Sequence, residues 1–307
     1  MTLLHESLWQ PLIQIALLVG IGGLCRLTGI LSDRGTSEIG NLVLRVTLPV
    51  LLFVAGTRSD LLTLARAGPL VVLAGVLVPL VGYGIGALTA RLFKLPAGQA
   101  SIVRVNASLS NTAFVGIPVC TALWGAQGAL LAALFDQGLN LPLFTLAPLE
   151  YGRASQKATW RWLVMSPMIW GLVLGVLWNL SGLGFPPWIA APLGAVGDIT
   201  LPLSLILIGA LAVPSGLKAG IKPLAAFLLS RLVFVPLIVW ILTLAIGFRG
   251  VAAWVTVIQS AMPASVTATV MAKEYGADSE LAATGALYSV VLSLLTIPLI
   301  VAIVIRA

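Results

Sequence analysis

Asn111 stands between two hydroxyls in the segment Ser110-Asn111-Thr112-Ala113-Phe114-Val115-Gly116-Ile117-Pro118, inside a window from Val105 to Phe135 that carries no charged residue. An amide flanked by hydroxyls can hold a carboxylate through its N–H and O–H donors, or satisfy backbone groups freed by a helix break. Gly116 and Pro118 supply the means of breaking: glycine permits close approach, and proline cannot donate to a helical ladder. A second segment of the same character, Met262-Pro263-Ala264-Ser265, follows about half a chain later, with Pro263 as its breaker and Ser265 as its polar contact. In lipid, freed backbone groups are tolerated only where they line a protected cavity, so two interrupted helices in corresponding halves point to a transporter's binding site.

Asp136 and Asn140 lie one turn apart on one helix face, in the middle of the next apolar window. An intramembrane carboxylate is costly and functional by default, here as a proton carrier or a cation ligand. The competing reading is a buried pair with an arginine or a polar contact between helices. A sodium site would gather several oxygens, which the sequence does not reveal, so a proton is preferred. Asn111 is the leading substrate ligand, directly or through one water, and Thr112 is expected to tie down local backbone. Arg45 and Arg231 fall within apolar windows, where they could attract an anionic substrate but are expected rather to snorkel to an interface. Lys273 and Glu274 are expected at the cytoplasmic boundary, and the nine tryptophans in interfacial belts. Cys25 and Cys120 form no CxxC pair and read as small core residues.

These residues must be positioned by membrane helices. Of 307 residues, 59% are hydrophobic and 9% charged, with a mean hydropathy of +1.09, whereas a soluble domain is about one quarter charged. The charge-free stretch Ala67–Ala90 alone exceeds the roughly 20 residues needed to span the hydrocarbon core. Polar punctuation yields ten spans, near 8–27, 39–56, 69–91, 100–124, 127–149, 163–181, 195–213, 222–247, 251–275 and 279–305. No cleavable signal peptide is apparent. With the N-terminus outside, Arg26, Arg34, Arg91, Lys94, Arg104, Arg153, Lys157, Arg161, Lys218, Lys222 and Lys273 are cytoplasmic, against Arg58, Arg66, Arg249 and Arg306 outside. The positive-inside rule therefore places both termini outside, and the net charge of +7 is topological rather than a nucleic-acid footprint.

The two halves echo each other. Leu48-Pro49 recurs as Leu201-Pro202, Val78-Pro79-Leu80 as Val235-Pro236-Leu237, Trp124-Gly125-Ala126 as Tyr275-Gly276-Ala277, and Pro142-Leu143 as Pro298-Leu299. Four matches in one order favour duplication, with residues 1–155 as one five-helix repeat and 156–307 as the other, within a single membrane domain. Five spans is an odd number, so the second copy must be inverted. Ungapped alignment on the Trp124 and Tyr275 motifs sets Asn111 opposite Met262 and Thr112 opposite Pro263. The half-helix N-termini would then converge at the midplane on a site suited to a carboxylate.

At these residues the sequence resembles the auxin efflux carrier family of permeases, which includes bacterial organic-anion carriers of the malonate type and plant auxin carriers. The resemblance rests on Ser108-Leu109-Ser110-Asn111-Thr112 running through Gly116-Ile117-Pro118 to Trp124-Gly125. It rests equally on Ala261-Met262-Pro263 running into Met271-Ala272-Lys273-Glu274-Tyr275-Gly276, and it covers essentially the whole chain. It implies an all-α membrane protein of ten helices in two inverted repeats, the fourth and ninth broken and crossing, that moves a small carboxylate by elevator-like alternation of access. Plant members have proline where this chain has Ser110, and an Asn-Pro start to the sixth helix where it reads Ser166-Pro167-Met168, which makes Ser166 a candidate contact.

The function expected is therefore a secondary transporter of small organic anions in the plasma membrane. The alternative is a membrane receptor that binds a small carboxylate without moving it. Enzymatic chemistry has no visible machinery: the single histidine, His5, excludes an HExxH zinc site, and no GxSxG elbow is present. The expected partners are the lipid bilayer, the carboxylate and a coupling proton or sodium ion. A homodimer is allowed, and neither a cofactor nor a nucleic acid is expected.

Overall fold

A chain that must satisfy its backbone without water folds as helices, and a computed structural model shows helices throughout, with no strand among the described residues. The structure describes residues 2–151, 167–211 and 220–304. In chain order the helices are α1 (Thr2–Leu27), α2 (Asp33–Leu42), α3 (Leu48–Thr57), α4 (Leu61–Leu92), α5 (Ala97–Ser108), α6 (Ile117–Glu150) and α7 (Pro167–Leu180). There follow α8 (Pro187–Asp198), α9 (Thr200–Leu211), α10 (Ile221–Leu229), α11 (Val235–Ala245), α12 (Val251–Ser260), α13 (Val266–Glu274) and α14 (Ser279–Val304). Six helical stretches among the described residues are long and apolar enough to cross a membrane. Others are short: α12 has 10 residues, about 15 Å at 1.5 Å per residue, or half the hydrocarbon core.

Three five-residue π segments interrupt the α-helical register, at Val43–Thr47, Thr112–Gly116 and Ser230–Phe234. Each is followed by a helix with proline at its second position: Pro49, Pro118 and Pro236. The pairing has a steric sense, although Pro142, Pro148 and Pro298 sit inside helices with no π segment. A proline ring crowds the carbonyl four residues earlier, here Arg45, Phe114 and Leu232, each at the centre of its π segment. Widening the turn moves that carbonyl aside. Within α6 the helical path breaks at Trp124-Gly125, where Gly125 adopts the left-handed φ of 58° and the chain reverses. The two limbs then lie so close that a Cβ on Gly128 would meet the Cys120 carbonyl at 2.1 Å.

The chain forms two compact units, each assembled from both halves of the sequence. Unit 1 comprises Met1–Pro69, Ala113–Ala133 and Trp162–Val213. In it α1 packs on α9 through Gly22 and Gly209, where an added Cβ would lie 1.9 Å from the Ile206 and Val19 carbonyls. Helix α3 packs on α7, and the Asn179 amide donates to the Gly56 and Ser59 carbonyls at 3.1 and 2.8 Å. Such small-residue contacts let helices approach where lipid supplies no hydrophobic drive between them.

Unit 2 comprises Leu70–Thr112, Leu134–Arg161 and Pro214–Ala307. Its α4 meets the second limb of α6 through Gly75 and Gly138, whose added Cβ atoms would stand 2.2 Å from the Phe135 and Val72 carbonyls. Towards the α6 C-terminus, Glu150 accepts from Tyr83 of α4 and from Arg104 of α5, the latter at 3.0 Å from Nε and 2.6 Å from Nη2. Arg104, assigned to the cytoplasmic side by sequence, therefore also ties three helices together. All the residues of the candidate site except Ser166, Gly116 and Pro118 belong to unit 2.

Candidate functional site

Two helices of unit 2 stop short and their chains meet. Helix α5 ends at Ser108 with Leu109 extended, and α12 ends at Ser260, after which Met262-Pro263-Ala264 leads to α13. The loose ends pair as an isolated antiparallel bridge between Ser110 and Ala264. The Asn111 N–H donates to the Pro263 carbonyl at 2.7 Å, and the Ser265 N–H donates to the Leu109 carbonyl at 3.1 Å. The Ala264 N–H is taken by the Ser289 hydroxyl of α14 at 3.0 Å. Each break thus supplies backbone partners that the other lacks, so the buried unwound segments keep their hydrogen bonds. The bridge pairs positions 154 apart, whereas the ungapped sequence alignment on the Trp124 and Tyr275 motifs uses an offset of 151.

Every described member of the predicted crossing, Ser110, Asn111, Thr112, Met262, Pro263 and Ser265, is buried, with Asn111 at 6% exposure. Ser265 caps α13, its Oγ accepting from the Ala268 N–H at 3.3 Å, and so occupies a helix start where anions are favoured. Gly116 closes the π segment and Pro118 is the second residue of the resumed helix, about a turn beyond the extended residues. Ser166 lies outside the described residues.

Asp136 and Asn140 join this crossing. The Asp136 carboxylate, 5% exposed, accepts from the Thr112 hydroxyl at 2.5 Å, from the Asn140 amide at 3.3 Å and from the Gln137 amide at 3.4 Å. Thr112 therefore spends its hydroxyl on the carboxylate rather than on local backbone, as the sequence reading had it. The reason is placement: the π segment turns Thr112 towards α6. Among the described residues no lysine, arginine or histidine pairs with Asp136, so the arginine partner considered from sequence is not found.

Arg231 departs further from its sequence reading. It does not snorkel but is 0% exposed, its Nη1 donating to the Ala107 carbonyl at 2.7 Å and its Nη2 to the Ser260 carbonyl. Those carbonyls belong to the last turns of α5 and α12, whose negative dipole ends favour a cation. Arg45, by contrast, is exposed. Ser289, Gln137 and Arg231 are the contributors that sequence reasoning missed or misplaced. Only Arg231 carried a signal, a lone charge in an apolar window. A cavity of about 260 Å³ in unit 1, lined by Arg58, Ser59, Asp60, Gln127 and apolar neighbours, includes none of the crossing residues.

Apolar multi-span helices, two of them broken and knotted at buried polar residues, define a multi-pass integral membrane protein of the transporter class. The chain matches the family described as membrane transport protein over residues 7–146 and 150–301, and it belongs to that family, the auxin efflux carrier permeases. It is 29% identical to an uncharacterised transporter of Methanothermobacter thermautotrophicus, over 94% of this chain and 96% of the relative. A second uncharacterised transporter, from Methanocaldococcus jannaschii, is 23% identical over 93% and 95%. Auxin efflux carrier component 1 of Arabidopsis thaliana is 26% identical over 44% of this chain and 23% of its own length.

Proposed function

We propose that this membrane transporter moves small organic anions, carboxylates of the auxin-like or dicarboxylate kind, by elevator-type alternating access. In this reading ten transmembrane helices form two inverted repeats, residues 1–155 and 156–307, with both termini outside the plasma membrane. The observation that carries it is the two-bond bridge at Ser110 and Ala264, which brings Asn111 and the capped start of α13 together in a buried polar setting. An amide beside a helix N-terminus suits a carboxylate in both hydrogen bonding and charge. The repeat reading is supported by Gly125 and Gly276, paired from sequence and both left-handed, with φ of 58° and 71°.

Asn111 is the principal ligand, with Ser110 and Ser265 beside it. Thr112 links the ligand to Asp136, which with Asn140 carries the coupling proton. The test is uptake or efflux of a labelled carboxylate by proteoliposomes containing Asn111→Ala protein. Loss of most transport with an unchanged elution profile and thermal midpoint is expected. Transport near the wild-type rate with unchanged affinity would remove Asn111 from the site.

A further inference from the structure

Arg231 is a full positive charge inside unit 2 with no carboxylate partner among the described residues. Its guanidinium instead spans the carbonyl ends of α5 and α12, at Ala107 and Ser260. Each helix end carries roughly half a negative charge, so two of them amount to about one unit, which the guanidinium offsets. A pair of helix C-termini brought together with no internal cation is the arrangement that coordinates a metal cation through backbone carbonyls. Pro236 contributes to the placement. It follows the π segment Ser230–Phe234, whose widened turn eases the clash between its ring and the Leu232 carbonyl, and that segment carries Arg231.

We propose that Arg231 is the specificity-determining residue of the crossing. It occupies, from within the protein, the position that a monovalent metal cation would take between the two carbonyl ends, and so leaves the positive ends of the broken helices to select anions. The residue acts through the helix ends and needs no contact with substrate. The role deepens the carboxylate-carrier reading and rests on it for the identity of the anion. The cation exclusion can be measured with no anion substrate present.

The experiment compares thermal midpoints of purified wild type, Arg231→Met and Arg231→Lys in sodium, potassium and choline chloride at matched ionic strength. Wild type and Arg231→Lys are expected to respond alike to all three salts. Arg231→Met is expected to melt lower in choline and to regain several degrees in sodium or potassium, because a small cation can enter where the guanidinium was and choline cannot. In the same preparations a carboxylate that stabilises wild type should bind Arg231→Met roughly tenfold or more weakly, a difference of about 1.4 kcal/mol. The inference is overturned if Arg231→Met responds to sodium and potassium no more than to choline. It is equally overturned if Arg231→Lys is as damaged as Arg231→Met, or if Arg231→Met yields no folded protein in any of the salts. If no carboxylate stabilises wild type while the cation response appears, the substrate reading fails and the role of Arg231 stands.

Discussion

At the scale of single residues, Asp136 concentrates the chemistry. Its carboxylate is buried among neutral donors, Thr112, Asn140 and Gln137, with no lysine, arginine or histidine paired to it among the described residues, and an intramembrane carboxylate so placed is the group to test for proton coupling. Asp136→Asn keeps the shape and an acceptor for Thr112 but cannot titrate. Its transport should therefore lose the acid dependence of the wild type, as measured by initial rates across a pH series in proteoliposomes, and an unchanged profile would reject the coupling role. The sequence made Asp136, Asn140 and Asn111 visible, because a polar group in a charge-free window has few reasons to be there. It misjudged Thr112 and Arg231, because what each side chain bonds depends on how the π segments rotate it, and a five-residue widening leaves no periodic trace. Ser289 left no trace at all: a serine in an apolar helix looks the same whether it bonds its own turn or a neighbouring loop.

Among the elements, the π interruptions sit beside prolines and the close helix contacts are made where side chains are absent. Gly125 has open space around its missing Cβ, so the only obstacle to a side chain there is its left-handed backbone. Gly125→Ala should cost about 1–3 kcal/mol, because φ 58° with ψ −140° lies outside the conformations open to a side-chain-bearing residue, in denaturant or thermal unfolding of the purified protein. Gly138 is the opposite case: its φ is unremarkable, but a Cβ would strike the Val72 carbonyl at 2.2 Å. Gly138→Leu must push α4 away from α6 and should lower stability by at least the 1–3 kcal/mol typical of overpacking, as read by the thermal midpoint, with transport lost alongside. The windows of apolar residues and the proline positions gave the helices and their breaks in outline. Which carbonyl each glycine faces was illegible, since it depends on partners remote in sequence.

For the whole molecule, membership of the auxin efflux carrier permeases was readable from the two broken motifs, and the family match over nearly the full chain agrees. The family resemblance implies one scaffold and one transport region, but the boundaries of the two compact units were not readable, because each unit interleaves stretches from both halves of the chain. Substrate choice belongs to this scale as well. A thermal-shift screen of mono- and dicarboxylates, indoleacetate included, should give a concentration-dependent rise for the cargo class and none for matched neutral amides, since ligands that bind only the folded state raise its midpoint. The knot at Ser110 and Ala264 bears on how such a choice can change over time. Its two bonds run from main chain to main chain, and peptide groups are the same whatever residue bears them. Under the proposed carrier function, a lineage that altered Ser110 or Asn111 to take another cargo would keep these two main-chain bonds in place.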